Sequence, residues 1–153
     1  MAVECRVEHR PRLAILGIRI QMAPQPQMPD VVGEAYGRLF HYIGERGVAP
    51  SGHVMMIVRE MGTPMILEAA IGVSADTPGD GDILASVLPE GDAVVALHVG
   101  RYEDVGPVYE AVFAHAAQTG RQPGGAPYEV YLTDPQTEPD PTKQRTEVVL
   151  PLA

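Results

Sequence analysis

A shift of 73 positions lays one stretch of the chain over another: Gly33 falls on Gly106, Tyr36 on Tyr109, Phe40 on Phe113, Gly47 on Gly120, Pro50 on Pro123 and Gly52 on Gly125. Matches at glycine, proline and aromatic positions at a single offset mark an internal repeat, and a repeat constrains the fold more tightly than any local motif. Within it, Val32, Tyr36, Leu39, Phe40 and Ile43, and again Val105, Tyr109, Val112, Phe113 and Ala116, recur at helical spacing. Each run ends at a glycine, Gly47 or Gly120, with a proline three residues later. That is the usual punctuation of a helix end. The repeat therefore predicts two equivalent amphipathic helices.

Runs rich in β-branched and aliphatic residues flank both helices. They lie at 13–22, 53–61 and 65–73 in the first half and at 92–101, 127–134 and 146–152 in the second. The order is strand, helix, strand, strand, twice. A leading strand at 4–10 and a connecting strand and turn at 81–92 complete the pattern. Strands outnumber helices and the connections are short, so the expected fold is α+β, with duplicated β-α-β-β units forming an antiparallel sheet and two helices on one face. The whole of 1–153 is expected to be one pseudo-twofold domain with repeat halves of about 12–74 and 91–152.

Composition narrows the partners. Eleven basic against twenty acidic side chains leave a formal charge of -9, which repels phosphate backbones and anionic lipid surfaces. Neither nucleic acid nor a membrane is an expected partner. One cysteine, Cys5, excludes an internal disulfide, the start of the chain is charged where a signal peptide needs an apolar stretch, and a cytoplasmic location is expected. The five histidines fall into no HExxH or HxxxH spacing, and there is no GxSxG elbow, P-loop or GxGxxG. No metal and no cofactor are indicated. Three prolines, at 135, 139 and 141, break any calcium-loop template in the acidic stretch before the last strand and predict a rigid turn instead.

A sheet covered by helices on one face leaves the other free, and strand alternation says which side chains point there. In the last strand Val148, Leu150 and Leu152 form the apolar row, which sends Glu147 to the opposite face. In the fourth strand Leu67, Ala69, Ile71 and Val73 form that row, leaving Glu68 opposite, beside Ala70 and Gly72. The same reasoning assigns Val130 and Leu132 to the core and Glu129 and Tyr131 to the free face, with Met55 and Ile57 as an apolar, adaptable wall. Tyr36 and Tyr109 sit on helix faces that pack the core, with hydroxyls able to reach the edge of a cleft. A half-desolvated carboxylate flanked by tyrosines suits a cationic or planar aromatic ligand. Without such a partner, burial raises its pKa, and a protonated carboxyl can serve as a general acid.

The segment YEVYLTDPQTEPDPTKQRTEVVLPL resembles the C-terminal signature of the GyrI-like small-molecule-binding family, which also supplies the effector-binding part of AraC-type and MerR-type multidrug regulators. VGEAYGRLFHYIGERGVAPSG and HVGRYEDVGPVYEAVFAHAAQTG are similar to the same family, so the resemblance spans nearly the whole chain. It implies a pseudo-twofold pair of β-α-β-β units and an aromatic-lined cleft whose buried glutamate attracts cationic or planar drugs. Glu147 in RTEVVLP and Glu129 in YEVYLTD are the two positions for that glutamate. Arg101 in HVGRYE stands where the family commonly has proline, Gln144, followed by Arg145, stands where a tryptophan often precedes RTE, and the chain has no tryptophan.

Three functions follow from the resemblance. The first is binding of a small hydrophobic or cationic molecule by a stand-alone effector-type domain, since no helix-turn-helix precedes it. The second is hydrolysis that opens the cyclopropane rings of DNA-alkylating natural products, with Glu147 as the catalytic acid. The third is a protein-interaction module such as a gyrase inhibitor, working as a monomer or homodimer.

Overall fold

A computed structural model describes residues 3–22, 27–134 and 137–153. Pro135 and Gln136, part of the proline-rich turn expected from the sequence, lie outside the described residues. Among the described residues the elements are β1 (Cys5–Arg10), β2 (Leu13–Gln21), α1 (Met28–Arg46), β3 (Pro50–Glu60), β4 (Ile66–Val73), β5 (Ile83–Leu88), β6 (Gly91–Val99), α2 (Gly106–Gln118), β7 (Tyr128–Tyr131) and β8 (Arg145–Pro151). The fold is α+β with antiparallel strands, as the repeat predicts. Gly47 closes α1 in the left-handed region at φ 65°, and Gly120 follows α2 at φ 74°. A side chain with a Cβ is strained in that conformation, which accounts for a glycine at both helix ends.

The chain divides into two compact units, one of residues 12–89 and one of residues 1–11 and 90–153. In sequence the first, the inserted unit, interrupts the second, the terminal unit. Chain passage between them occurs at Pro11–Arg12 and at Pro89–Glu90.

In the terminal unit the strands run β1-β6-β8-β7, all antiparallel. Register decides which residues share a face. Val7 pairs with Val94, Val94 with Leu150, and Ala96 with Val148. This face carries the core, where Val94, Ala96, Val148 and Leu150 close against Val108, Val112 and Ala116 of α2. Each of these seven side chains is almost completely buried, and removing any large one costs the cavity as well as the lost transfer energy, roughly 2–4 kcal/mol.

In the inserted unit the order is β5-β2-β4-β3. One face carries Ile18, Ala69 and Ile83; α1 lies on that side, because Ile83 lines a hollow together with Gly37, Arg38, His41 and Tyr42. The opposite face carries Gly17, Glu68, Ala70, Met55 and Ile57. Met55 and Ile57 are fully buried, as are Ala70 and Glu68.

Candidate functional site

The three glutamates singled out in the sequence have different surroundings. Glu68, on β4, is opposite Arg19 on β2 and Ile57 on β3. It is 1% exposed, accepts a hydrogen bond from Arg59 Nε at 2.9 Å, and has Arg19 Nε at 3.5 Å. Its second oxygen, Oε2, has no hydrogen-bond partner and lies where a Cβ on Gly17 would stand. Glu68 therefore faces away from α1, as the alternation of β4 predicts, but as half of a buried ion pair.

Glu147, on β8, likewise faces away from the helix of its unit, paired with Leu97 on β6 and Val130 on β7. Arg10 Nη2 donates to its Oε1 at 2.9 Å, and Arg6 Nη2 is 3.5 Å from Oε2. Its charge is already matched within the unit. Glu147 is thus set apart from Glu129 by a whole face of the sheet.

The facing of β7 is the reverse of the expectation. Glu129 pairs with Val148 and Tyr131 with Thr146, so both stand on the α2 face, while Val130 and Tyr128 pair with Glu147 and Val149 on the other. Alternation separates two rows of side chains without saying which row faces the helix, and in β7 the apolar row is turned away from it. From α2, the Tyr109 hydroxyl donates to Glu129 Oε2 at 2.7 Å, and Tyr131 donates to Oε1 at a weaker 3.3 Å. Burial pushes the Glu129 carboxyl above its ordinary value, against the opposing pull of the Tyr109 and Tyr131 hydroxyls and of His98. Burial and the adjacent carboxylate also push the Tyr109 phenol upward, so it remains a neutral donor.

More aromatic surface surrounds this carboxylate. The rings of Tyr102 and Tyr131 meet edge to face, with centroids 5.3 Å apart and planes at 74°. Tyr102 sits on a 3-10 turn, Tyr102–Asp104, that leads into α2. Across the ladder, His98 and Tyr131 flank Thr146, whose Oγ1 is buried and has no hydrogen-bond partner. His98 Nε2 lies 2.7 Å from the carbonyl of Arg101, which requires that nitrogen to carry the proton. Tyr102, His98 and Thr146 were not singled out in the sequence. The signal for them was their place in or beside HVGRYED and RTE, the motifs that already carried the family resemblance.

The remaining sequence candidates gather elsewhere. Tyr36, on α1, donates its hydroxyl to the carbonyl of Met55. Tyr36, Met55, Ile57 and Glu68 all belong to the inserted unit. Glu129, Tyr131, Tyr109 and Glu147 belong to the terminal one, and only the first three meet. Among the described residues no group of three or more His, Cys, Asp or Glu is placed to hold a metal ion, and no helix is long and apolar enough to cross a membrane.

The sequence profile of the GyrI-like small molecule binding domain matches residues 3–153. The chain belongs to this family. No curated protein matches it. Among solved structures, the EcmrR C-terminal domain superposes with a TM-score of 0.80 at 18% identity, over 100% of this GyrI-like chain and 99% of the other. A cryo-EM structure of an EcmrR-DNA complex gives a TM-score of 0.84 at 15% identity and covers 98% of this chain; the chain spans 57% of that longer protein. SAV2435 bound to tetraphenylphosphonium gives 0.62 at 13% identity, over 98% and 94% of the two chains. A hydrolase encoded by lin2189 from Listeria innocua gives 0.68 at 14%, over 98% and 92%. At these identities the likeness establishes the fold.

Proposed function

We propose that this GyrI-like domain binds small hydrophobic cations at Glu129, with Tyr102, Tyr109 and Tyr131 as the surrounding rings. One observation carries the reading: Glu147 and Glu68 each face an arginine, whereas the hydrogen-bond partners of Glu129 are tyrosine hydroxyls. A carboxylate desolvated without a matching cation is the member of the three that gains most from a cationic guest. The ring faces add attraction for the same charge. The formal charge of -9 favours the approach of cations over anions. The two units, each ordering its strands as one added strand, β5 or β1, then the first, third and second of the β-α-β-β series, are read as copies of one unit.

Calorimetric titration with tetraphenylphosphonium, the cation in the SAV2435 structure, tests the reading. Glu129→Gln keeps the size and polarity of the side chain and removes the charge. The dissociation constant is expected to rise about 10- to 100-fold, equivalent to about 1.4–2.8 kcal/mol. Binding of neutral triphenylphosphine oxide is expected to change little. An unchanged affinity for the cation in Glu129→Gln, or an equal loss in Glu147→Gln, refutes the assignment.

A further inference from the structure

The chain carries ten arginines and one lysine, and nearly all are matched. Arg6, Arg10, Arg12, Arg19, Arg38, Arg59, Arg101 and Arg121 each have a carboxylate at ion-pair distance. Arg46 stacks on the Tyr42 ring at 3.9 Å. Among the described residues, the cations with neither a carboxylate at that distance nor a ring beneath them are Lys143 and Arg145. In a protein with almost twice as many acids as bases, two unmatched cations are unexpected, and these two line the same hollow.

The hollow has a volume of about 450 Å³ and lies within the terminal unit, bounded by Val99, Leu132, Thr133, Glu138, Lys143 and Arg145. That volume is within the range of small-molecule sites. Its apolar part is supplied by Leu132 and by Val99, which is 56% exposed. Its walls are tied together by two hydrogen bonds. Leu132 N–H donates to the Arg145 carbonyl at 3.0 Å, and Arg145 N–H donates to Thr133 Oγ1 at 3.0 Å. Lys143 stands on a 3-10 turn, Pro141–Lys143, whose first amide is held by the Asp140 side chain at 3.0 Å. One acid is present: Glu138, whose Oε1 accepts from the Asp140 N–H at 3.2 Å.

We infer that this hollow is a second ligand site, for a small amphipathic monocarboxylate whose head meets Lys143 and Arg145 and whose tail covers Val99 and Leu132. Two cations and one carboxylate line the hollow, a net positive lining, and a monoanionic head meets less repulsion from Glu138 and from nearby Asp140 than a dianionic phosphate would. A guanidinium beside an ammonium offers the donors a carboxylate accepts, in fork and point geometry. The site is independent of the Glu129 reading and selects the opposite ligand charge.

The test is titration of the intact protein with octanoate, followed by amide chemical-shift mapping. The expected result is a set of shifts centred on Val99, Leu132, Thr133 and Lys143. The double variant Lys143→Gln/Arg145→Gln is expected to weaken octanoate at least tenfold with the rest of the spectrum unchanged, since both side chains are exposed. Glu138→Gln is expected to tighten octanoate several-fold, a change of sign that a merely structural role for Glu138 does not produce. Shifts centred elsewhere, equal affinity in the double variant, or octylammonium binding as well as octanoate in this hollow would each overturn the inference.

Discussion

Placing a methyl group on Gly17 tests how tightly the buried ion pair of the inserted unit is built. A Cβ there would lie 2.1 Å from Glu68 Oε2 and 2.6 Å from both its Cδ and Cγ. Because the carbons are involved as well as the oxygen, turning the end of the side chain brings no relief. Glu68 is 1% exposed and held by Arg59, so it has nowhere to go within the sheet. Either β2 and β4 separate, an overpacking strain of about 1–3 kcal/mol, or the carboxylate gives up Arg59, at about 3–5 kcal/mol for breaking a buried pair. A loss of about 2–4 kcal/mol is expected, which at a slope near 2 kcal/mol/M lowers the urea midpoint by about 1–2 M. Circular dichroism through a urea series measures it. In a Glu68→Ala background the added methyl has room, and Gly17→Ala is then expected to cost less than about 1 kcal/mol, leaving a coupling of about 1–3 kcal/mol in the double-mutant cycle. Additive single and double variants, or a Gly17→Ala midpoint unchanged within error, would show that the reasoning is wrong.

Two further outcomes follow from the charges of the terminal unit. With its native pKa held above the ordinary glutamate value of 4.5 by burial, Glu129 binds its proton more readily in the folded than in the unfolded chain. Its contribution to stability is therefore fully present below that ordinary value and is lost as pH rises through the higher native one. Thermal unfolding of wild type and Glu129→Gln across this interval should show the variant with the flatter dependence and the better relative stability near neutrality; identical slopes would remove Glu129 as the source. Arg10→Ala leaves Glu147 with only Arg6, at 3.5 Å and on a 53% exposed side chain, so a loss of about 1–3 kcal/mol is expected. Adding Glu147→Ala to Arg10→Ala should recover part of that loss in urea unfolding, and no recovery would mean that the pair is not coupled.

Much of the fold was legible because its signals are local. Glycines such as Gly47 and Gly120 stop helices wherever they occur, and the apolar rows of β4 and β8 are regular enough to fix which way Glu68 and Glu147 point. β7 was not legible in this way. Both of its rows contain a tyrosine, and the decision between them is made by pairing with β8 and by the reach of Tyr109 from α2. The arginine partners were hidden for a similar reason. Arg10 precedes Glu147 by 137 residues, and only the β1-β6-β8 order brings the two together. What separates an acid available to a ligand from an acid already matched is thus a property of strand order, beyond any local pattern.

The way the inserted unit interrupts the terminal one has a consequence for synthesis on the ribosome. β1 ends at Arg10, and its partner β6 begins only at Gly91. At about 5–20 residues per second, roughly 4–16 s of elongation separate the two. During that interval β1 emerges with its hydrogen-bonding edge bare, while residues 12–89 already contain every strand of their own unit. The charged pattern of β1, with Arg6, Glu8, His9 and Arg10 in six residues, is of the kind that discourages a bare edge from pairing with a neighbouring nascent chain.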